Sequence, residues 1–237
     1  MGRVGVAGDP RAEPLNLRPP PMMMRALYSL LTYAAQPWVR RKLARRAKVE
    51  PLYGEWVEQR FGHYDDAVHF APQPAAAAGG APVVWLHAVS LGETRAAVAL
   101  LARLRESLPG MRLVLTHGTA TGREAGKALL QPGDVQVWQP WDTPSAVGRF
   151  LAHFRPDVGL LMETEVWPNL VAGCAQRGVP LAAKYSGAAQ IKKSIGLKRR
   201  ATKRLSFTRP VRRATSMSLS IISTCKSLIS SCSLIAG

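Results

Sequence analysis

Acidic residues are absent from the last quarter of this 237-residue chain. Residues 182–237 hold twelve Lys and Arg and no Asp or Glu, a net +12, whereas residues 1–181 hold twenty basic and fifteen acidic side chains, a net +5. The +17 of the whole chain is therefore mostly a property of its tail. Cysteine is scarce: Cys174, Cys225 and Cys232 are too few for a disulfide framework and suit a reducing compartment. No Cys-x-x-Cys or His-Glu-x-x-His pattern offers a metal site. There is no Walker motif, and no Gly-x-Gly-x-x-Gly fingerprint for a nicotinamide or flavin cofactor, so no cofactor is expected. A membrane-crossing run is also lacking. The apolar segment 22–37 offers about 16 residues against the ~20 that span a bilayer, and it contains Arg25.

What is present excludes collagen-like, coiled-coil and wholly disordered classes: 47% of residues are hydrophobic and 20% charged. Residues 1–21 have no apolar period and read as a disordered leader. From Met22 the pattern turns helical, with Leu27, Leu30, Leu31 and Ala34 on one face and Pro37 as the expected stop. Arg40-Arg41-Lys42-Leu43-Ala44-Arg45-Arg46 follows. An apolar helix with a basic continuation fits a membrane-surface anchor over residues 22–48; a core helix with a solvated basic end fits equally well. Residues 53–62 suggest a short amphipathic helix closed by Gly62.

The stretch 49–183 reads as one domain. Strands are expected at 82–89, 112–116, 135–138, 158–162 and 179–183. Helices are expected at 92–107, 121–130, 143–154 and 168–177, the last with Pro at its first turn and Gly178 after it. Strict alternation with short loops predicts an α/β fold: a Rossmann-like parallel sheet with helices on both faces. Ligands in such sheets bind at the carboxyl ends of the strands. After Ala183 the periodicity is lost. Residues 184–237 hold eleven Ser among the basic residues, an irregular composition that points to translation in a wrong reading frame.

Two motifs lie where ligands are expected. Ser90-Leu91-Gly92-Glu93 has the spacing of a capping box, with Ser90 as N-cap and Glu93 reaching back to its amide. The same residues put a carboxylate at the mouth of the sheet, able to take a proton from a bound hydroxyl. A helix N-terminus keeps such a carboxylate ionised at neutral pH. Thr121-Gly122-Arg123-Glu124 repeats the spacing one unit later. Met162-Glu163-Thr164-Glu165-Val166-Trp167-Pro168-Asn169 places two carboxylates between an apolar strand and a helix, where they complement the helix dipole or face a ligand. His87 reads as a core histidine, His117 as a candidate ligand contact, Trp138 and Trp141 as packing residues, and Cys174 as buried and inert.

Taken in order, these segments resemble a known family. Trp85-Leu86-His87-Ala88-Val89-Ser90-Leu91-Gly92-Glu93-Thr94 resembles the signature of bacterial 3-deoxy-D-manno-octulosonic acid (Kdo) transferases. Thr119-Ala120-Thr121-Gly122, Pro140-Trp141-Asp142-Thr143-Pro144 and Met162 to Leu170 follow in the family's order. Arg60-Phe61-Gly62-His63-Tyr64 and the apolar-then-basic N-terminus are similar too. The resemblance spans about residues 23–182 and implies the N-terminal half of a GT-B glycosyltransferase. Such an enzyme is inverting, and it works as a monotopic protein on the cytoplasmic face of the inner membrane. It would move Kdo from CMP-Kdo to a lipid A precursor during lipopolysaccharide synthesis. By resemblance Glu93 is the general base and Glu163 supports the transition state, while Ser90, Gly92, Thr121, Gly122 and Glu165 contact substrate. The Asn-Ala-Arg-rich loop of the family is replaced by Lys184-Tyr185-Ser186-Gly187, and no second Rossmann-like domain follows. A donor site is therefore expected to be missing, and the chain is expected not to transfer Kdo as it stands. The competing expectation is a non-catalytic, membrane-associated module that binds lipid A precursor. Nucleic acid is not an expected partner, because the basic residues lack interleaved aromatics and a recognisable motif.

Overall fold

The computed structural model describes residues 22–65, 68, 81–162 and 167–183. The expected leader, the Ala/Pro/Gly linker at 71–80, the basic tail, and the two carboxylates Glu163 and Glu165 lie outside the described residues.

The five expected strands form one parallel sheet: β1 (Val83–His87), β2 (Arg112–His117), β3 (Val135–Trp138), β4 (Val158–Leu161) and β5 (Leu181–Ala183). Their order is β3-β2-β1-β4-β5. Both faces of β1 are covered, and all five of its residues are buried. This is why Val83 to Leu86 reads as a continuous apolar run rather than an alternation. Odd and even positions still part company. Val84 and Leu86 pack with Leu113, Leu115 and Leu160 under α3 (Leu91–Ser107), which contributes Ala97, Leu100, Leu101 and Leu104. Trp85 and Val114 face the other way, onto α5 (Pro144–Phe154) and α6 (Pro168–Arg177) through Val147, Phe150, Leu151, Leu170 and Cys174. Each buried Val, Leu or Phe among them contributes roughly 1.5–3 kcal/mol. With β2 and β3 on one side of β1 and β4 and β5 on the other, chain direction across the sheet reverses between β1 and β4. That crevice is where open α/β sheets bind ligands.

The N-terminal segment departs from expectation. Helix α1 spans Met22–Ala34 and α2 spans Gln36–Ala47, so Pro37 does not stop a helix but sits in the first turn of the second. A first-turn proline loses no intrahelical bond, because its missing N–H would have no partner there. The helical path barely breaks: Ala35 donates to Leu31 O and accepts from Val39 N, both at 2.9 Å. Residues 53–62 form not one amphipathic helix but two 3₁₀ turns, Pro51–Gly54 and Val57–Phe61, parted by Trp56 at φ 49°. The expected helix 121–130 is shorter, α4 (Ala120–Gly126), and continues as a 3₁₀ turn over Lys127–Leu129.

A third cluster attaches this segment to the sheet: Val39 and Leu43 of α2 pack with Tyr53, Phe61, Ala120 and Trp138. Helix α1 is held by polar contacts instead. Trp141 Nε1 donates to Thr32 O at 3.1 Å, Ser145 N to Tyr33 Oη at 3.2 Å, and Ser29 Oγ to Asn169 Oδ1 at 3.0 Å. Its apolar side chains stay outside: Leu27, Leu30 and Leu31 are about 60% exposed, and Met22 and Met23 more than 80%.

Gly62 seals the second 3₁₀ turn in the left-handed region, at φ +80°, against α5. A Cβ there would lie 2.8 Å from Ala146 O. Gly110 has nearly the same φ, +76°, with open space around it. Gly110→Ala is predicted to cost the backbone term alone, about 1–2 kcal/mol, and Gly62→Ala clearly more. Urea unfolding of the two variants checks this; equal losses would contradict the packing described.

Candidate functional site

The site is built where β1 ends. Ser90 leaves the strand in an extended conformation and caps α3, its hydroxyl oxygen accepting from Glu93 N. A cap of this kind is worth about 1 kcal/mol. Glu93 closes the box one residue further back than its spacing predicts. Its carboxylate accepts from Val89 N at 2.6 Å and from Ser90 Oγ at 2.7 Å, rather than from the Ser90 amide. The capping expectation is thus met at the level of the helix, and the carboxylate is pinned at the head of α3, half-buried.

The neighbouring loop is locked to the same residue. Val89 O accepts from Gly118 N at 3.2 Å, Thr119 N at 3.0 Å and Thr119 Oγ1 at 2.9 Å. Thr119, not Thr121, is the N-cap of α4, accepting from Gly122 N at 3.2 Å. Gly122 lies against this junction so closely that a Cβ would stand 3.0 Å from Val89 O and 3.1 Å from the Ser90 carbonyl carbon. Thr121 is exposed, its hydroxyl 3.5 Å from that of Thr119. Ser90, Gly92, Glu93, Thr121 and Gly122, scattered over two motifs in sequence, therefore share one end of the sheet. On the other side of the crevice, Met162 N donates to His87 O at 2.9 Å, so β4 delivers the chain to residue 162 directly beside the end of β1.

Both strand-end histidines are buried and neutral. His87 Nδ1 lies 3.1 Å from Thr116 O and 2.9 Å from Thr116 Oγ1. His117 Nδ1 lies 2.8 Å from Ala88 O. A carbonyl can only accept, so Nδ1 carries the proton in the His117 ring. Burial pulls each pKa from 6.5 down to about 4. The His117 ring is fully buried at the carboxyl end of β2. Trp138 is fully buried, as expected of a packing residue, and burial pushes the Cys174 thiol up to about 12. Among the described residues no group of three or more His, Cys, Asp or Glu is arranged to hold a metal.

Asp142 is a buried carboxylate that spacing did not single out. It is 1% exposed, and its carboxylate accepts from Asn169 N at 3.0 Å and Leu170 N at 2.8 Å, the first amides of α6. The Tyr28 hydroxyl of α1 bonds to the same carboxylate. Burial raises the Asp142 pKa, and these hydrogen bonds oppose the rise. The available signal was Trp141-Asp142-Thr143-Pro144, an acid just before a Thr-Pro helix start.

A family model described as 3-deoxy-D-manno-octulosonic-acid transferase (kdotransferase) matches residues 55–218. A 3-deoxy-D-manno-octulosonic acid transferase of Bordetella pertussis is 44% identical over 168 residues, 68% of this chain and 36% of that protein. A probable mitochondrial 3-deoxy-D-manno-octulosonic acid transferase of Arabidopsis thaliana is 33% identical, covering 65% of this chain and 32% of its own. The transferase of Haemophilus influenzae is 30% identical, covering 67% and 35%. The chain spans about a third of the length of these curated relatives. No solved structure matches it.

The histidines give a signed pH dependence. Their folded pKa values lie below the unfolded value of 6.5, so the unfolded chain binds more protons between pH 6.5 and 4. Their neutral burial is fully tolerated above pH 6.5, and stability falls as pH drops towards 4, by up to about 1.4 kcal/mol per pH unit per histidine. Urea unfolding across this window is predicted to show a shallower slope for His117→Gln than for the wild type. An unchanged slope would mean that His117 is not buried neutral.

Proposed function

Because this chain belongs to the 3-deoxy-D-manno-octulosonic-acid transferase family, we propose that it supplies the acceptor side of Kdo transfer from CMP-Kdo to a lipid A precursor. The observation that carries the proposal is the position of Glu93, a tethered carboxylate at the head of a 17-residue helix beside the switch-point crevice. Proton abstraction needs a base held within about 2.6–3.2 Å of its target hydroxyl, and a tether of this kind fixes where the base stands.

Glu93 takes the proton of an acceptor hydroxyl as that oxygen bonds to the anomeric carbon of Kdo. The bond from that carbon to the phosphate oxygen of CMP breaks, CMP leaves with the electron pair, and the configuration inverts. Glu163 supports the developing charge, and Ser90, Gly92, Thr121, Gly122 and Glu165 contact substrate. The step as written uses no cofactor. In this proposal the domain is the N-terminal half of a GT-B enzyme.

The same proposal puts the chain on the cytoplasmic face of the inner membrane as a monotopic protein. Among the described residues no helix is long and apolar enough to cross a membrane. Supporting a surface position, α1 exposes Met23, Leu27, Leu30 and Leu31, and α2 exposes Arg41, Lys42 and Arg45 next to them. Apolar side chains beside a basic cluster suit an anionic lipid surface. Sedimentation with vesicles containing phosphatidylglycerol is predicted to capture the chain. Leu27→Asp with Leu31→Asp should weaken capture by roughly tenfold or more; undiminished capture would refute an α1 anchor.

For catalysis, the test joins residues 22–183 to the remaining two thirds of the Bordetella pertussis relative. CMP release from CMP-Kdo with lipid A precursor is predicted to fall about 10²–10⁴-fold on Glu93→Gln. Acceptor binding by the chain itself should change less than about twofold. Acceptor binding with CMP release indifferent to Glu93 would favour the second reading, a non-catalytic membrane-associated module for lipid A precursor.

A further inference from the structure

Three arginines crowd one pair of stacked rings without any carboxylate in an ion pair among the described residues. Tyr53 and Trp138 stack with centroids 6.0 Å apart. The Arg60 guanidinium lies 3.9 Å from the centre of the Trp138 ring and that of Arg123 4.8 Å from it, while Arg46 sits 4.2 Å over Tyr53. Arg123 also stacks on Trp56 at 4.7 Å and is only 5% exposed. Arg60 Nη2 donates to Gly118 O at 3.2 Å, and Arg123 Nη2 makes a long contact of 3.4 Å to Gln136 O. Arg60 Nε and Arg123 Nη1 are buried with no hydrogen-bond partner. Glu55 is near enough to be felt by Arg123 but forms no ion pair with it. Burial and mutual repulsion pull Arg60 down from 12.5 to about 10, and burial does the same to Arg123.

Cation–π contacts offset part of the cost of burying a guanidinium. They leave the two buried N–H groups unsatisfied and the charge uncompensated, a costly arrangement when no anion is bound. We propose that Arg60 and Arg123 form a binding site for a phosphate-type oxyanion beside Trp138, at the carboxyl ends of β2 and β3. Planar guanidinium forks match phosphate geometry. A phosphomonoester carries close to two negative charges at neutral pH, which answers two unpaired cations better than one carboxylate does. The site adjoins the head of α3, because Gly118, which accepts from Arg60, itself donates to Val89 O. It goes beyond the transfer reaction and is read out by binding alone, so its failure is separate from any failure of Glu93 as a base.

The test is a thermal and calorimetric titration of the full chain with two probes, inorganic phosphate and glucosamine 1-phosphate, against sodium chloride of equal ionic strength. At tenfold over Kd, the better probe is expected to raise the Tm by about 3–6 °C. Arg123→Met is expected to abolish the shift. Methionine replaces a buried unpaired charge with an apolar chain of similar length, a change that folded proteins tolerate. Should Arg123→Met not fold, Arg60→Met carries the same titration. Tighter binding of glucosamine 1-phosphate identifies a phosphorylated sugar as the source of the anion, and tighter binding of inorganic phosphate identifies the free ion. No shift over chloride in the wild-type chain, or a shift that survives in the methionine variants, overturns the proposal.

Discussion

Both polar backbone groups of Val89 are committed, and the site depends on them. Its N–H holds the Glu93 carboxylate at 2.6 Å, and its carbonyl takes three donors from the loop after β2. One residue just past the end of the central strand thereby sets where α3 starts and where the loop after β2 runs. A hydrogen bond to a charged group contributes roughly 1.5–3 kcal/mol, so the tether is a substantial constraint on Glu93 and not an incidental contact. Gly122 makes the junction possible, since any side chain there would meet the Val89 carbonyl at 3.0 Å.

A second junction ties the exposed helix to the same end of the sheet. Asp142 accepts the first amides of α6 and meets Tyr28 of α1, while Ser29 of α1 bonds Asn169. A buried carboxylate that caps one helix and anchors another joins them into one body, and losing it would leave several polar groups without partners. The apolar surface of α1 is therefore fixed in relation to the strand ends that hold Glu93.

Much of the sheet was legible because its strands are buried on both faces and its helices carry explicit punctuation: Ser90, Thr143-Pro144, Pro168 and Gly178. The N-terminal helices were harder. A proline at a helix start and a proline at a helix end look alike when the flanking residues are all helix formers, as Ala34, Ala35 and Gln36 are. The two 3₁₀ turns were missed because a left-handed Trp56 has no local signature. At the site, the Ser90–Glu93 spacing announced a cap, and the structure added that the carboxylate binds the Val89 amide instead. Arg60 and Arg123 were invisible as a pair: 63 positions separate them in sequence, and only the packing of both against Trp138 brings them together.

The central claim is that Glu93, held by Val89, faces the acceptor. The most direct measurement is a crystal structure of the chain with a lipid A precursor bound. It should show a sugar hydroxyl within about 3.2 Å of the Glu93 carboxylate, with the Val89 contacts intact. A well-ordered acceptor whose hydroxyls all lie away from Glu93 would contradict the account.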